Sequence, residues 1–268
     1  MRKQFHNFSS LPDTESWSFC YSPDCPAPEE IFRNVRTGLP AELKVFKEDG
    51  KRRVYLAGAD EQQCYIVKTN LLPRWKDKFR AQSFAPAEAD CQLQAMQRGI
   101  PAPRVFALFS RHRWGLTLQN GLVIEYLQDY RAIDNTETGL MIPAFVMLYQ
   151  KGINHPDFMH RNFMISQTDG SWKIIDLEKC SFLPQPSLLS LLLMLARNIE
   201  YGELGFEHPI NQDLIRKLYP ALGKIPLSFQ DFKRATEIIA SKHRSSKDRQ
   251  RMAYPAELKI LCHKSLII

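Results

Sequence analysis

The rhythm of apolar and polar positions changes twice along this 268-residue chain. Residues 1–40 carry several prolines and turn formers and predict an irregular N-terminal lead-in. From Ala41 short β-prone runs begin. Leu43–Phe46, Arg53–Leu56 and Cys64–Lys68 are parted by turn signals at Asp49-Gly50 and Gly58-Ala59-Asp60, which predicts a three-stranded antiparallel meander. A helix is predicted next, with Ser83 as cap, Pro86 in the first turn and Glu88 to Arg98 free of breakers. Gly99 suits the position after its end, and Pro101 and Pro103 forbid continuation. Val105–Leu108 and Gly121–Leu127 are two further strands, so this half reads β-β-β-α-β-β.

The second half changes to helical spacing. Met141–Lys151 is an apolar helix stopped by Gly152, with Pro143 tolerated in its first turn. Two extended pieces, Met164-Ile165 and Trp172–Ile175, precede helices over Leu188–Ile199, Asp213–Leu218 and Ser228–Lys242. The last has Ser228 as cap, Asp231 three residues on, and an apolar stripe of Phe229, Phe232, Ala235, Ile238 and Ile239. The pattern predicts an α+β protein with two lobes. Residues 41–127 form a small β-rich lobe with one helix, and residues 128–268 a larger helical lobe.

Composition narrows the function classes. Hydrophobic residues at 44% and charged residues at 24% are ordinary for a soluble domain. Met1-Arg2-Lys3 leads into no apolar stretch, so no secretory signal is expected. The longest apolar run, Leu188–Ala196, falls well short of the roughly 20 residues that span a bilayer, and reads as a buried helix. Six scattered cysteines contain no C-x-x-C pair, which removes the usual zinc and thioredoxin spacings and predicts reduced cytosolic thiols. A net charge of +7 favours anionic partners: a nucleotide, a nucleic acid or an anionic lipid surface.

Phosphoryl transfer asks a protein for positioned cations and a carboxylate beside the nucleophile, and this chain carries those groups in order. In His155-Pro156-Asp157-Phe158-Met159-His160-Arg161-Asn162 an aspartate is followed five positions later by asparagine, between a helix and a short strand. Asp157 would orient the acceptor hydroxyl, Asn162 would ligate Mg²⁺, and His155 would pack behind the loop. Downstream, Ile174-Ile175-Asp176-Leu177 brings an aspartate out of an apolar β-run, where a second Mg²⁺ ligand belongs. Lys68 ends the third strand in Tyr65-Ile66-Val67-Lys68, a V-A-I-K-like pattern whose ammonium holds the α/β-phosphates. Glu88, on a helix face shared with Cys91 and Ala95, is placed to pair with Lys68. Glu125 and Leu127, on the strand joining the lobes, would present backbone groups to adenine.

These motifs resemble the lipopolysaccharide core sugar kinases of Gram-negative bacteria, the Kdo and heptose kinase family. The resemblance rests on Arg98-Gly99-Ile100-Pro101-Ala102-Pro103, Leu122–Leu127, Lys151-Gly152-Ile153-Asn154-His155 with Asp157, and Ile175-Asp176-Leu177, and it covers residues 41–200. It implies a protein-kinase-like fold, ATP and Mg²⁺ as cofactors, and a lipid A–Kdo or core acceptor at the cytoplasmic face of the inner membrane. The chain departs from protein kinases in three places. No G-x-G-x-x-G is present, leaving Gly50 in the turn Lys47–Arg53, with Lys51, Arg52 or backbone amides to cover the phosphates. Pro156 replaces the arginine of His-Arg-Asp, and Asp176-Leu177-Glu178 replaces Asp-Phe-Gly.

Other readings remain open at this level: a kinase for another small molecule or a protein, or a nucleotide-binding pseudokinase. The net charge alone suggests a nucleic-acid binder, and no reading motif accompanies it, so no nucleic acid is expected. His155 and His160 lack a third ligand of metal-site spacing, and each is expected to pack within its loop. The basic-aromatic stretch Arg74–Arg80 and the basic tail 243–251 read either as solvated segments or as contacts to an anionic glycolipid or membrane surface. Arg161 is a further candidate to meet an anionic acceptor.

Overall fold

The computed structural model describes residues 5, 7–12, 16–37, 42–58, 64–72, 75–78, 85–202 and 204–240. The Ser83 cap, residues 74, 79 and 80 of the Arg74–Arg80 stretch, the tail 243–251 and Cys262 lie outside these residues. The chain divides into two units, residues 1–128 and 129–268.

The first unit is built on a seven-stranded sheet. Its strands are β1 (Ser9–Ser10), β2 (Trp17–Tyr21), β3 (Glu42–Glu48), β4 (Arg52–Gly58), β5 (Cys64–Leu71), β6 (Val105–Arg113) and β7 (Leu116–Glu125), in spatial order β1-β2-β6-β7-β5-β4-β3. Every neighbouring pair is antiparallel. Among the described residues three α-helices accompany it: α1 (Pro28–Thr37), the short α2 (Trp75–Lys78) and α3 (Ala85–Gln97). The meander β3–β5 lies where the sequence places it. The lead-in does not stay irregular: β2 extends the sheet along β6, and α1 packs on one sheet face. Ile31, Phe32 and Val35 of α1 meet Phe19, Tyr65, Val67 and Val123 there, while Ala85 and Ala89 of α3 meet Leu108, Leu122 and Ile124 on the opposite face. Helices on both faces explain why Val105–Phe109 and Leu122–Ile124 are apolar without alternation.

Strand β6 outruns its predicted end and β7 begins before its predicted start, because they form one long hairpin. Arg113 pairs with Leu116 across Trp114-Gly115, both with positive φ (50° and 72°), as a two-residue type I′ turn requires. Gly121 sits opposite Phe109, and the buried Phe109 ring lies over the bare backbone, so a Cβ there would meet ring carbon Cζ at 2.0 Å. Gly121→Val is therefore expected to destabilise the protein by about 3 kcal/mol, read as a lower urea midpoint at unchanged m-value.

The second unit is mainly helical: α4 (Ile142–Gln150), α5 (Leu188–Tyr201), α6 (Pro209–Ala221) and α7 (Phe229–Ala240). Helix α5 packs against α4 and α7, and α6 against α4. Ser228 caps α7 reciprocally, its Oγ accepting from the Asp231 N–H at 3.1 Å and donating to Asp231 Oδ2 at 2.8 Å. The strands are β8 (Tyr130–Ala132), β9 (Ile153–Asn154), β10 (Phe163–Ser166), β11 (Trp172–Ile174) and β12 (Ser181–Phe182). Central β10 pairs with β8 and β11, and β9 pairs with β12.

Among the described residues no helix is long and apolar enough to cross a membrane. The five described cysteines, Cys20, Cys25, Cys64, Cys91 and Cys180, are free thiols.

Candidate active site

In the first unit, alternation along β5 sends Tyr65 and Val67 toward α1 and Ile66 toward α3. Lys68 shares the Ile66 face, and its Nζ forms an ion pair with Glu88 Oε1 of α3. Glu88 is only 2% exposed, so the carboxylate leaves water for one ammonium. One turn on, buried Gln92 donates from Nε2 to the Pro103 carbonyl. This ties α3 to the Gly-Ile-Pro-Ala-Pro segment and fixes the rotation that turns Glu88 inward. Cys91 stays half-buried, so the inward face runs through Glu88 and Gln92 instead.

The Glu125 side chain is tied to the segment before β6: Oε2 accepts from the Arg104 N–H at 2.9 Å, and the Glu125 N–H donates to the Arg104 carbonyl at 2.9 Å. Strand β7 ends at Glu125, leaving Leu127 two residues beyond it. At the β3–β4 turn, Asp49 Oδ1 accepts from the amides of both Lys51 and Arg52 at 2.9 Å, which holds its carboxyl below the ordinary value. Those two amides therefore already hold an anion of the chain itself.

In the second unit, the segment from His155 to Asn162 alternates anchors and presented groups. His155, Phe158 and Met159 are buried, with the Phe158 ring edge-on to Phe145 at 4.8 Å. His155 lies beside Ile175, and burial pushes its imidazole down to about 4 against the pull of Asp176 and Asp157, so it is neutral at pH 7. Between these anchors Asp157 turns outward. Its backbone carbonyl accepts from Asn162 Nδ2 at 2.9 Å, which aims the other end of that amide, Oδ1, away from the loop. The Asn162 carbonyl accepts from the Ile175 N–H at 3.0 Å, continuing the β10–β11 register and bringing Asp176 alongside.

Asp176 adopts φ 60°, a left-handed conformation that costs an ordinary L-residue about 1–2 kcal/mol. Aspartate tolerates it better than most, and such strain persists where the surroundings enforce it. Here the Ile175 N–H bond precedes it and fully buried Leu177 follows. A turn closed by the Cys180 N–H on the Leu177 carbonyl at 3.1 Å then leads into β12, which pairs back onto β9. The two loops are thus joined at both ends, by β10–β11 on one side and β9–β12 on the other.

The geometry adds two residues that the motif reading missed. Lys179 Nζ lies 2.6 Å from Asp157 Oδ2, and Arg197 Nη2 lies 3.5 Å from Oδ1. Burial pushes the Asp157 carboxyl up, but the Lys179 hydrogen bond and charge, with Arg197, outweigh it and hold the group below its ordinary value. The same bond raises the Lys179 pKa. A signal for Arg197 was present: it is the one charged residue in the run Leu188–Ile199, and a buried guanidinium needs a carboxylate. Among the described residues no three His, Cys, Asp or Glu side chains gather as a metal cage, so His155 and His160 form no such centre. Asn162 Oδ1 and the Asp176 carboxylate are two hard oxygen donors, the number Mg²⁺ takes from a protein when phosphates and water complete its shell.

No family model and no curated protein matches this chain. Among solved structures it is similar to WaaP in complex with acyl carrier protein, at 16% identity and a TM-score of 0.50, over 76% of this chain and 90% of that one. The chain therefore has a two-lobed, kinase-like α+β fold like that of WaaP.

Proposed function

We propose that this protein is an ATP- and Mg²⁺-dependent kinase that transfers the γ-phosphoryl group to a sugar hydroxyl of the lipopolysaccharide inner core, Kdo or heptose, at the cytoplasmic face of the inner membrane. The observation that carries the reading is the second unit's loop pair, in which Asp157, Asn162 and Asp176 are held in register by the Asn162 side-chain amide on the Asp157 carbonyl and by the Ile175 N–H on the Asn162 carbonyl. The kinase-like fold and the Lys68–Glu88 pair of the first unit agree with it.

In this reading Lys68, its ammonium held by Glu88, grips the α/β-phosphates. The Leu127 backbone and the Glu125 carbonyl receive the adenine. Asn162 and Asp176 hold Mg²⁺, which neutralises phosphate charge when bound. Asp157 accepts a hydrogen bond from the acceptor hydroxyl and takes its proton as the oxygen–phosphorus bond forms. The bond to the β-phosphate bridging oxygen breaks, and ADP leaves with its electron pair. Because Asp157 is held ionised, its main work is orientation, which suits a loose transition state with little need of a strong base.

The test is transfer of labelled γ-phosphate from ATP/Mg²⁺ to dephosphorylated core lipopolysaccharide. It is run with and without acyl carrier protein, since the WaaP structure contains that partner. Wild type is expected to label the core sugar, and Lys68→Met to lower kcat/KM for ATP by about 100-fold. Nucleotide binding with no transfer to the core would move the acceptor elsewhere, and absence of nucleotide binding would end the kinase reading.

A further inference from the structure

The catalytic-loop stretch from Asp157 to Asn162 contains no lysine. The cation nearest the Asp157 carboxylate instead comes from the following loop: Lys179, three residues after Asp176. Among the described residues two cations hold that carboxylate, and they are unlike. Arg197 is anchored on α5 with its side chain 10% exposed, and it bridges Asp157 at 3.5 Å and Glu200 at 3.5 Å. Lys179 sits at the tip of the Leu177–Cys180 turn with its side chain 59% exposed. The turn's two ends are buried, at Leu177 and Cys180, so the Lys179 backbone is fixed while its long side chain reaches into solvent. Its other carboxylate neighbours are Glu178, 3.8 Å away, and Asp176. An exposed ammonium holds a carboxylate only weakly, and an incoming polyanion competes for it.

We propose that Lys179 is a catalytic cation of this site: in the substrate-free protein its ammonium covers Asp157, and on nucleotide binding it moves onto the transferring γ-phosphoryl group, leaving Asp157 to Arg197 and the acceptor hydroxyl. This rests on the kinase reading above. Lys179 forms no bond in the reaction. It supplies positive charge to the equatorial phosphoryl oxygens while the acceptor oxygen–phosphorus bond forms and the bond to ADP breaks. In the resting protein the same ammonium occupies Oδ2 of the carboxylate, while part of the Asp157 side chain stays open to water. Arg197 is a positioning residue that keeps Asp157 in place after Lys179 departs.

The experiment uses the full chain with Lys179→Met and Lys179→Arg. Affinities for Mg·ADP and for Mg·AMP-PNP, which carries the third phosphate, are measured by calorimetry, and turnover is measured with ATP and core lipopolysaccharide. Lys179→Met is expected to leave Mg·ADP affinity unchanged, to weaken Mg·AMP-PNP about 10-fold, and to lower kcat about 100-fold with less change in KM for ATP. Lys179→Arg is expected to recover about a tenth or more of wild-type turnover, because guanidinium also carries charge to phosphate. Wild-type turnover in Lys179→Met, equal loss of both nucleotides, or an arginine variant no better than methionine overturns the proposal while the kinase reading stands. Wild type that binds neither nucleotide overturns both. At 59% exposure the substitution does not disturb folding, and a thermal melt verifies this for each variant.

Discussion

Asp157→Asn is expected to reduce phosphoryl transfer by about 10³–10⁴-fold while leaving the fold and Mg·nucleotide binding intact. The asparagine amide keeps the shape of the carboxylate, and the contact that holds the loop, Asn162 Nδ2 to the Asp157 carbonyl at 2.9 Å, uses only the backbone of residue 157 and survives the change. What is lost is the negative charge that accepts the hydroxyl proton and that Lys179 and Arg197 face. Single-turnover transfer of labelled γ-phosphate, beside a thermal melt, separates the two effects. A loss below about 10-fold, with an unchanged melt, would place the orienting group elsewhere in the unit.

Gly152→Val is expected to cost about 3–5 kcal/mol of stability and to abolish activity with it. Gly152 has φ +62°, and a Cβ there would meet the Leu183 carbonyl oxygen at 2.8 Å and that of Gln185 at 3.0 Å. Both are backbone atoms, which cannot rotate aside as a side chain would. The Gly152 carbonyl also accepts from the Leu183 N–H at 2.7 Å, so the strand that launches the Asp157 loop is seated against the strand that ends the Asp176 loop. A β-branched residue must push them apart. Thermal and urea melts give the stability loss, and a variant that melts like wild type would show that the close approach is dispensable.

The parts of the site that were legible in the sequence are those set by short-range pattern. Asp157 and Asn162 lie five residues apart on one loop, and Asp176 leaves the strand paired with the one after Asn162. The Lys68–Glu88 pair was legible because β5 alternates and α3 presents one face. The parts that were not legible depend on long-range meetings. Arg197 reaches Asp157 from a helix forty residues on. Lys179 was within view in sequence, but nothing in a pattern says that a turn folds its ammonium back onto Asp157. In the lead-in, prolines obscured α1: Pro28 reads as a breaker, yet it occupies the first helical position, where it is tolerated, with Glu29 and Glu30 in the first turn. Trp17, Phe19 and Tyr21 alternate as a strand should, a signal that five residues alone do not separate from chance. The Asp49 turn was visible as a turn, but not the capture of its amides by the Asp49 carboxylate.

The double stapling of the two loops, by β10–β11 and β9–β12, also sets an order of assembly. Asp157 and Lys179 are separated by 22 residues and Asp157 and Arg197 by 40. Closing the longer loop costs about 0.5 kcal/mol more in chain entropy, and it additionally requires α5 to have formed and docked. Contacts of low sequence separation lead, so the aspartate meets its exposed lysine while the chain between them is still compacting, and its buried arginine only when α5 packs. The aspartate keeps part of its surface in water throughout, so loop closure and the docking of α5 set this order, not the burial of a charge.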